Sequence, residues 1–270
     1  MKCKLNIWFA GGIFSKYILG IRNAVLHEAD SYYLNIIDPR TNPNMFDSVL
    51  DQTLIPDDTT EVEDSFTPVN SHFKSRAVSY VNYKEIDCEN SLGNYSKFNP
   101  IENSSNLPKY SEIIKKINLK KELLDKVEYY QNKFNIDENT VGVHIRLTDM
   151  NMYHASDYGV VSFEDFKSHL KPDVKYFVAS DNDESLKKLK ALFGDNVNYV
   201  DDLLRAVFEN NDTTSMFLNN PVVFKNKQFW FEAFLEMLLL SKCGSLICRT
   251  SDLSNVAVIY SKTIKNIIRL

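Results

Sequence analysis

The chain has 270 residues, of which 44% are hydrophobic and 25% charged, enough to bury one large core or two ordinary ones. Its net charge of −5 argues against a protein whose main task is to bind a polyanion, because such surfaces are usually basic. The four cysteines are scattered without a C-x-x-C pair, which argues against a zinc or disulfide framework and favours reduced thiols in the cytoplasm. No apolar run reaches the roughly 18 residues of a membrane span, so we expect no transmembrane segment.

The N-terminal part begins with a strand, turn, helix and strand. Residues 4–10 predict a strand, Gly11 and Gly12 the turn after it, and residues 13–27 a helix with apolar residues at helical spacing. A second strand is predicted at 32–37, and this β-α-β order is typical of a parallel sheet. The paired glycines allow a tight turn or a close approach to a ligand, although no G-x-G-x-x-G sequence accompanies them.

The middle of the chain is irregular. Residues 38–75 are rich in Pro, Asn, Asp and Thr and predict long loops, while 89–110 predict a second irregular stretch. One strand is predicted within 76–87. A helix with a broad apolar face is predicted from about 111 to 134.

Strands and helices alternate from residue 141 to the end. The predicted strands cover 141–146, 176–179, 197–200 and 245–248. The predicted helices are one opened by Ser162, one that ends at Phe193, and two over 228–241 and 253–262. This alternation is typical of a doubly wound parallel sheet. We therefore predict an α/β protein with two domains that face a cleft, at 1–134 and 135–270.

Polar side chains follow three of the predicted strands. They are His144, Arg146 and Asp149, then Ser180, Asp181 and Asn182, then Arg249, Thr250, Ser251 and Ser254. We expect these turns to line one edge, because the carboxyl ends of parallel strands are where ligands bind in open α/β sheets. The N–H fork of arginine matches two phosphate oxygens, and hydroxyls and amides at a helix start also bind phosphate. The pattern predicts a site for a nucleotide or a nucleotide-sugar.

Each turn also has a purely structural interpretation. Arg146 taken alone is about as often part of an ion pair as of a binding site. A Ser-Asp pair before a helix is most often an N-cap, and His144 could be a satisfied histidine of the core. Three such turns on strands of one sheet favour the ligand-binding interpretation.

The motifs in these turns resemble those of a known family. His144-Ile-Arg-Leu-Thr-Asp149 resembles the H-x-R-x-x-D motif of the superfamily of α1,2-, α1,6- and protein O-fucosyltransferases. Phe177-Val-Ala-Ser-Asp181 resembles its second motif, and Phe234–Ser241 followed by Leu246–Ser251 resembles its third. The resemblance covers residues 141–262. The α1,2 enzymes carry a second arginine where this chain has Leu147.

The resemblance implies a GT-B fold, two Rossmann-like domains with the donor held mainly by the C-terminal one. It implies an inverting transfer of fucose from GDP-fucose to a glycan or another hydroxyl acceptor, with no metal or other cofactor. Arg146 would neutralise the diphosphate, His144 would support the same pocket, and Asp181 would contact the nucleoside. Ser251 and Ser254 would donate to phosphate. The predicted donor site also includes Gly11, Gly12, Ser180 and Thr250.

Catalysis needs stabilisation of the leaving diphosphate and an acceptor for the hydroxyl proton. Arg146 is the candidate for the first role and Asp149 for the second, with Asp38 and Glu28 as weaker candidates. Two alternatives remain open at this point. One is a glycosyltransferase of the same fold with another nucleotide-sugar, and the other is a nonenzymatic nucleotide- or glycan-binding module.

Overall fold

The fold consists of two β-sheets with helices packed on them. A computed structural model describes residues 2–7, 14, 17–18, 20–21, 31–36, 45–51, 77–79, 84–88, 107–115, 117–147, 160–204, 227–249 and 251–270. No helix in these ranges is long and apolar enough to cross a bilayer.

The first sheet is formed by the N-terminal part of the chain. Its strands are β1 (Lys2–Ile7), β2 (Ser31–Ile36), β3 (Ala77–Ser79) and β4 (Lys84–Cys88), in the order β2-β1-β4-β3. β1 is parallel to both neighbours, which confirms the predicted parallel opening. The prediction of a single strand within 76–87 is wrong, because β3 and β4 pair antiparallel there. A short hairpin and a single strand share the same β-rich composition, so composition alone does not separate them.

The second sheet is parallel throughout and has the order β7-β6-β5-β8-β9. Its strands are β5 (Val141–Ile145), β6 (Tyr176–Ser180), β7 (Val197–Asn198), β8 (Ser245–Cys248) and β9 (Asn266–Arg269). The first four confirm the predicted strands. β9 was not predicted, because it is a mostly exposed edge strand and lacks the apolar run by which a buried strand is recognised.

Six helices are described with their bounds, and residues 14, 17–18 and 20–21 between β1 and β2 are helical as well. They are α1 (Leu107–Ile114), α2 (Lys121–Lys133), α3 (Phe163–Ser168), α4 (Asp183–Phe193), α5 (Lys227–Leu240) and α6 (Asp252–Tyr260). Short 3₁₀ helices cover Met45–Ser48 and Gly194–Asn196. Ser162 caps α3 in a capping box with Asp165, as its position in the sequence predicts.

The prediction of one helix over 111–134 is wrong, because the helix is interrupted between α1 and α2. The backbone there pairs with the segment after the first 3₁₀ helix. The Asp51 amide donates to the Asn118 carbonyl at 2.7 Å, and the Lys120 amide donates to the Val49 carbonyl at 2.9 Å. Backbone groups bound in this way are not available for a continuous helical ladder.

The second sheet buries both faces, and side chains alternate between them. One face carries Val143, Ile145, Val178 and Ile247, in one cluster with Phe166 of α3 and Leu186 of α4. Phe177, Ala179, Leu246 and Cys248 of the other face belong to the core of α5 and α6. Gly142 lies on this second face, since a Cβ atom there would be 3.0 Å from Leu240 of α5. His144, two residues further along β5, therefore also faces α5 and α6.

Aromatic side chains join the helix after β1 to the helices of the second sheet. The Tyr17 ring lies 5.2 Å from Phe234 of α5, and its hydroxyl is 2.5 Å from that of Tyr260 in α6. Phe46 of the first 3₁₀ helix packs edge-on against Trp230 at 5.3 Å. These rings belong to one buried cluster, so the two sheets share a core. The boundary near residue 135 stays a prediction.

Candidate functional site

The predicted turns meet at the carboxyl edge of the second sheet. β5 lies between β6 and β8, and Ile145 is opposite Ser180. The residues that follow on the three neighbouring strands are Arg146, Asp181 and Arg249. The ladder continues past the strand ends, since the Asp181 amide donates to the Ile145 carbonyl at 3.4 Å. Arg146 and Asp181 are therefore neighbours at this edge, whereas Arg249 aligns with Ile145, one residue earlier.

Alternation along the strands predicts which of these side chains share a face. Arg146 and Asp181 lie two residues beyond His144 and Ala179, and so on the side of the sheet that α5 and α6 cover. Both are partly exposed, so a ligand can reach them. Arg249 has only 1% of its surface exposed and lies within the protein.

His144 is buried and interacts with the first turn of α6. Its Nδ1 atom lies 2.7 Å from the Ser254 hydroxyl and 3.3 Å from the Ser251 hydroxyl. The two hydroxyls are 3.4 Å apart. Ser254 has no exposed surface and Ser251 has 6%. His144 is thus a hydrogen-bonded histidine of the core, which agrees with its purely structural interpretation. Its contacts also hold the start of α6 beside the strand ends.

Ser251 is the N-cap of α6, because its hydroxyl accepts from the Ser254 amide at 3.3 Å. Helix α6 begins at the residue after this cap, at the edge of the sheet where Arg146 and Asp181 lie. A helix N-terminus carries a partial positive charge that attracts anions. The start of α6 can therefore bind phosphate through its backbone dipole, while both serine side chains hold the helix in place.

In the turn after β6, too, two polar side chains are engaged in hydrogen bonds that hold the local structure. Asn182 caps α4 by accepting from the Ser185 amide at 2.9 Å, and the Asn182 amide donates to the Ser180 hydroxyl at 3.1 Å. The N-cap in this turn is therefore Asn182, with Ser180 as its support. Asp181 lies between them at the sheet edge, where its carboxylate can accept hydrogen bonds from hydroxyl or amine donors.

Asn255 is a further candidate residue, which the sequence pattern did not indicate. It is 3% exposed, and its side-chain oxygen is buried without a hydrogen-bond partner in the part of the chain that the structure describes. A buried acceptor of this kind can receive a hydrogen bond from a donor group of a bound molecule. A sequence signal exists, since Asn255 is followed by the apolar run Val256–Ile259 in α6.

A second missed feature is Glu232 of α5, which is 6% exposed. Leu240, the last residue of α5, packs near the start of β5, so the N-terminal part of α5 lies towards the carboxyl edge of the sheet. The Glu232 carboxylate accepts from the Leu204 amide and from the Gln228 side chain, each at 2.6 Å. Glu232 thereby ties the segment after β7 to α5. A carboxylate inside a strongly apolar helix is the sequence signal that could have found it.

Cys248 ends β8 next to this cluster. Burial raises the pKa of its thiol from 9.0 to about 11, although a hydrogen bond with Ser254 and the positive charge of Arg269 oppose the shift. The thiol is therefore protonated near neutral pH and acts as a small apolar neighbour of His144.

Several predicted residues lie outside the described ranges. They are Gly11, Gly12, Asp149 and Thr250, together with the base candidates Glu28 and Asp38. Their roles stay predictions. Within the described residues, the structure places no group of three or more His, Cys, Asp or Glu so that it could hold a metal ion. Independence of metal also stays a prediction.

No protein-family model and no curated protein sequence matches the chain. Solved structures do match it. A variant of Arabidopsis thaliana FUT1 in complex with GDP has a TM-score of 0.54 and 14% identity, over 98% of this chain and 70% of that one. NodZ α-1,6-fucosyltransferase co-crystallised with GDP has a TM-score of 0.49 and 15% identity, over 96% and 92%.

The structure of NodZ from Bradyrhizobium matches with the same TM-score of 0.49 at 14% identity. The FUT1 match covers nearly all of this chain. At this level of identity the similarity is one of fold. The chain has the mixed α/β, GT-B fold of these fucosyltransferases.

Proposed function

We propose that the chain is an inverting, metal-independent glycosyltransferase that transfers fucose from GDP-fucose to a hydroxyl of a glycan or another acceptor. One observation carries the proposal. Arg146, Asp181 and the start of α6 meet at the carboxyl edge of a parallel sheet, in a fold seen in a fucosyltransferase with bound GDP. That edge is where open α/β sheets bind ligands.

The diphosphate is the part of the donor that this edge suits best. Departure of GDP builds negative charge on the β-phosphate, and preorganised positive groups stabilise that charge. Arg146 would supply a bidentate guanidinium, and α6 would supply its N-terminal dipole. Ser251 and Ser254 then act indirectly, because their hydroxyls are engaged by the helix cap and by His144.

The nucleoside and the sugar carry hydroxyl and amine donors, which need acceptors. The Asp181 carboxylate offers such an acceptor at the sheet edge, and the Asn255 side-chain oxygen offers a second one in the first turns of α6. Ser180 supports this turn through the Asn182 amide. We propose the donor side in 135–270 and the acceptor side in 1–134, with Gly11, Gly12 and Thr250 completing the donor site.

The reaction would be a single displacement. The acceptor oxygen attacks the anomeric carbon of fucose, the bond to the β-phosphate oxygen breaks, and the configuration inverts. GDP leaves with the bonding electron pair, and the acceptor proton passes to a base. We propose Asp149 as that base, because the sequence places it three residues after Arg146.

Isothermal titration with GDP in the presence of EDTA tests the donor site. We expect binding without added metal, and a loss of about 10- to 100-fold for Arg146→Ala, the usual effect of removing a charge-assisted hydrogen bond. Lys121→Ala removes an exposed positive charge on α2 and should leave the affinity unchanged. No GDP binding at millimolar concentration would contradict the proposal.

Release of GDP from GDP-fucose over a panel of glycan acceptors tests the reaction itself. Turnover with one acceptor supports a transferase, whereas GDP binding without turnover on any acceptor supports a binding module. Competition by UDP-, dTDP- and other GDP-sugars identifies the donor. Stronger competition by one of these than by GDP-fucose would assign another donor to the same fold.

A further inference from the structure

Ser254 lies at the centre of a buried polar cluster. Its hydroxyl is 2.7 Å from Nδ1 of His144 and 3.4 Å from the hydroxyl of Ser251. The thiol of Cys248 also lies within hydrogen-bonding reach. Ser254 has no exposed surface and its hydroxyl is engaged by His144 and Ser251, so it acts on the site through these neighbours.

The donors and acceptors of this cluster favour one arrangement of protons. The Ser254 hydroxyl needs an acceptor for its proton, and Nδ1 of His144, at 2.7 Å, is a better acceptor than the Cys248 sulfur. The Ser254 oxygen can then accept from the Ser251 hydroxyl. With the proton on Nδ1 instead, the Ser254 hydroxyl could donate only to Ser251 at 3.4 Å or to the weak sulfur acceptor.

We propose that Ser254 is a positioning residue that holds His144 in the neutral tautomer with its proton on Nε2. The imidazole then presents an N–H donor on the side of the ring away from Ser254. Arg146 is the next residue after His144 on the same face of the sheet, so this imidazole lies beside the same edge. That the donor serves an oxygen of the diphosphate rests on the proposed function, whereas the tautomer itself does not.

The Ser254 hydroxyl can be removed without removing the helix cap. The cap joins the Ser251 hydroxyl to the backbone amide of Ser254, which every substitution except proline keeps. Ser254→Ala therefore deletes the contact with Nδ1 selectively. Ser254→Thr retains a hydroxyl on the same carbon and serves as the conservative variant.

The tautomer can be measured by two-bond ¹H–¹⁵N correlation spectra of the ligand-free full chain labelled in histidine. The chain has five histidines, and the His144 signals are those absent from the His144→Gln spectrum. We expect the wild-type pattern of an Nε2–H imidazole, and a shift towards the Nδ1–H form in Ser254→Ala. A wild-type His144 that carries its proton on Nδ1, or on both nitrogens at pH 7.5, would overturn the proposal.

Titration with GDP then tests the consequence. We expect Ser254→Ala to weaken GDP binding about fivefold, the effect of one lost neutral hydrogen bond, and Ser254→Thr to restore most of the affinity. Ser168→Ala deletes an exposed hydroxyl on α3 and is the matched control. Unchanged affinity in Ser254→Ala despite a changed tautomer would overturn the role in binding. Absence of GDP binding in the wild type would contradict the proposed function alone.

Discussion

At the scale of single residues, the polar groups near the candidate site differ in whether their hydrogen-bond partners are known. Ser251, Ser254 and Asn182 have their hydrogen bonds inside the protein, and they hold α6, His144 and α4 in place. Asn255 differs, because its buried oxygen has no partner in the described part of the chain. Leaving a buried acceptor unsatisfied destabilises a fold by about 1–3 kcal/mol.

Replacing Asn255 by leucine, which has a similar shape, should therefore stabilise the ligand-free protein. We expect the free energy of unfolding in urea to rise by about 1 kcal/mol, while the affinity for GDP-fucose falls because an acceptor is lost. Asn182→Ala is the matched control, since it removes a satisfied N-cap and should lower stability by about 1 kcal/mol. An equal loss of stability in both variants would contradict the role assigned to Asn255.

Local patterns predicted most of the elements in the second sheet. The short apolar runs at β5, β6 and β8 and the longer one at α5 are recognisable in the sequence, because each of these elements is buried on more than one side. The interrupted helix between α1 and α2 and the exposed strand β9 carry no such signal. Their structure depends on backbone partners that lie far away in the chain.

One close approach between elements depends on a glycine. Gly244 joins α5 to β8, and its amide donates to the Thr140 carbonyl at 2.9 Å. A Cβ atom at this position would lie 1.7 Å from the Glu138 carbonyl oxygen, which is backbone and cannot move aside alone. The turns that precede β5 and β8 are thus packed directly against each other.

Gly244→Ala should lower the free energy of unfolding by about 3 kcal/mol or more, because the two turns must separate. Gly194→Ala is the control. Gly194 has a φ of +56° with no atom near its missing side chain, so only backbone strain of about 1–2 kcal/mol applies there. Urea unfolding followed by circular dichroism measures both. Similar effects for the two variants would show that the close approach is easily relieved.

At the scale of the whole molecule, the two sheets are joined by a shared aromatic core. Phe234 of α5 lies 5.0 Å from Phe14 and 5.2 Å from Tyr17, both in the helix after β1. Phe46 and Trp230 make a second contact between the two parts of the chain. The donor side and the proposed acceptor side therefore depend on the same packing for their stability.

The chain has two tryptophans, Trp8 directly after β1 and Trp230 in α5, so fluorescence can follow each part separately. Because the core is shared, we expect each of the single-tryptophan variants Trp8→Phe and Trp230→Phe to unfold in one urea transition, with the same midpoint by fluorescence and by circular dichroism. Phe234→Ala should lower the free energy of unfolding by about 3–5 kcal/mol, and the urea midpoints of both variants should fall together. Separate transitions for the two tryptophans would show that the parts unfold independently.

The sequence by itself determined the parallel α/β pattern, four of the five strands of the second sheet, and the turns that carry Arg146 and Asp181. These features can be read from residues close together in the chain, because burial of one or both faces sets the spacing of apolar residues in each helix or strand. Only the tertiary structure decided that Ser254 is engaged by His144, 110 positions away, and that the side-chain oxygen of Asn255 has no partner among the described residues. Such pairings depend on how distant segments of the chain pack together, and a local sequence pattern carries no information about that packing.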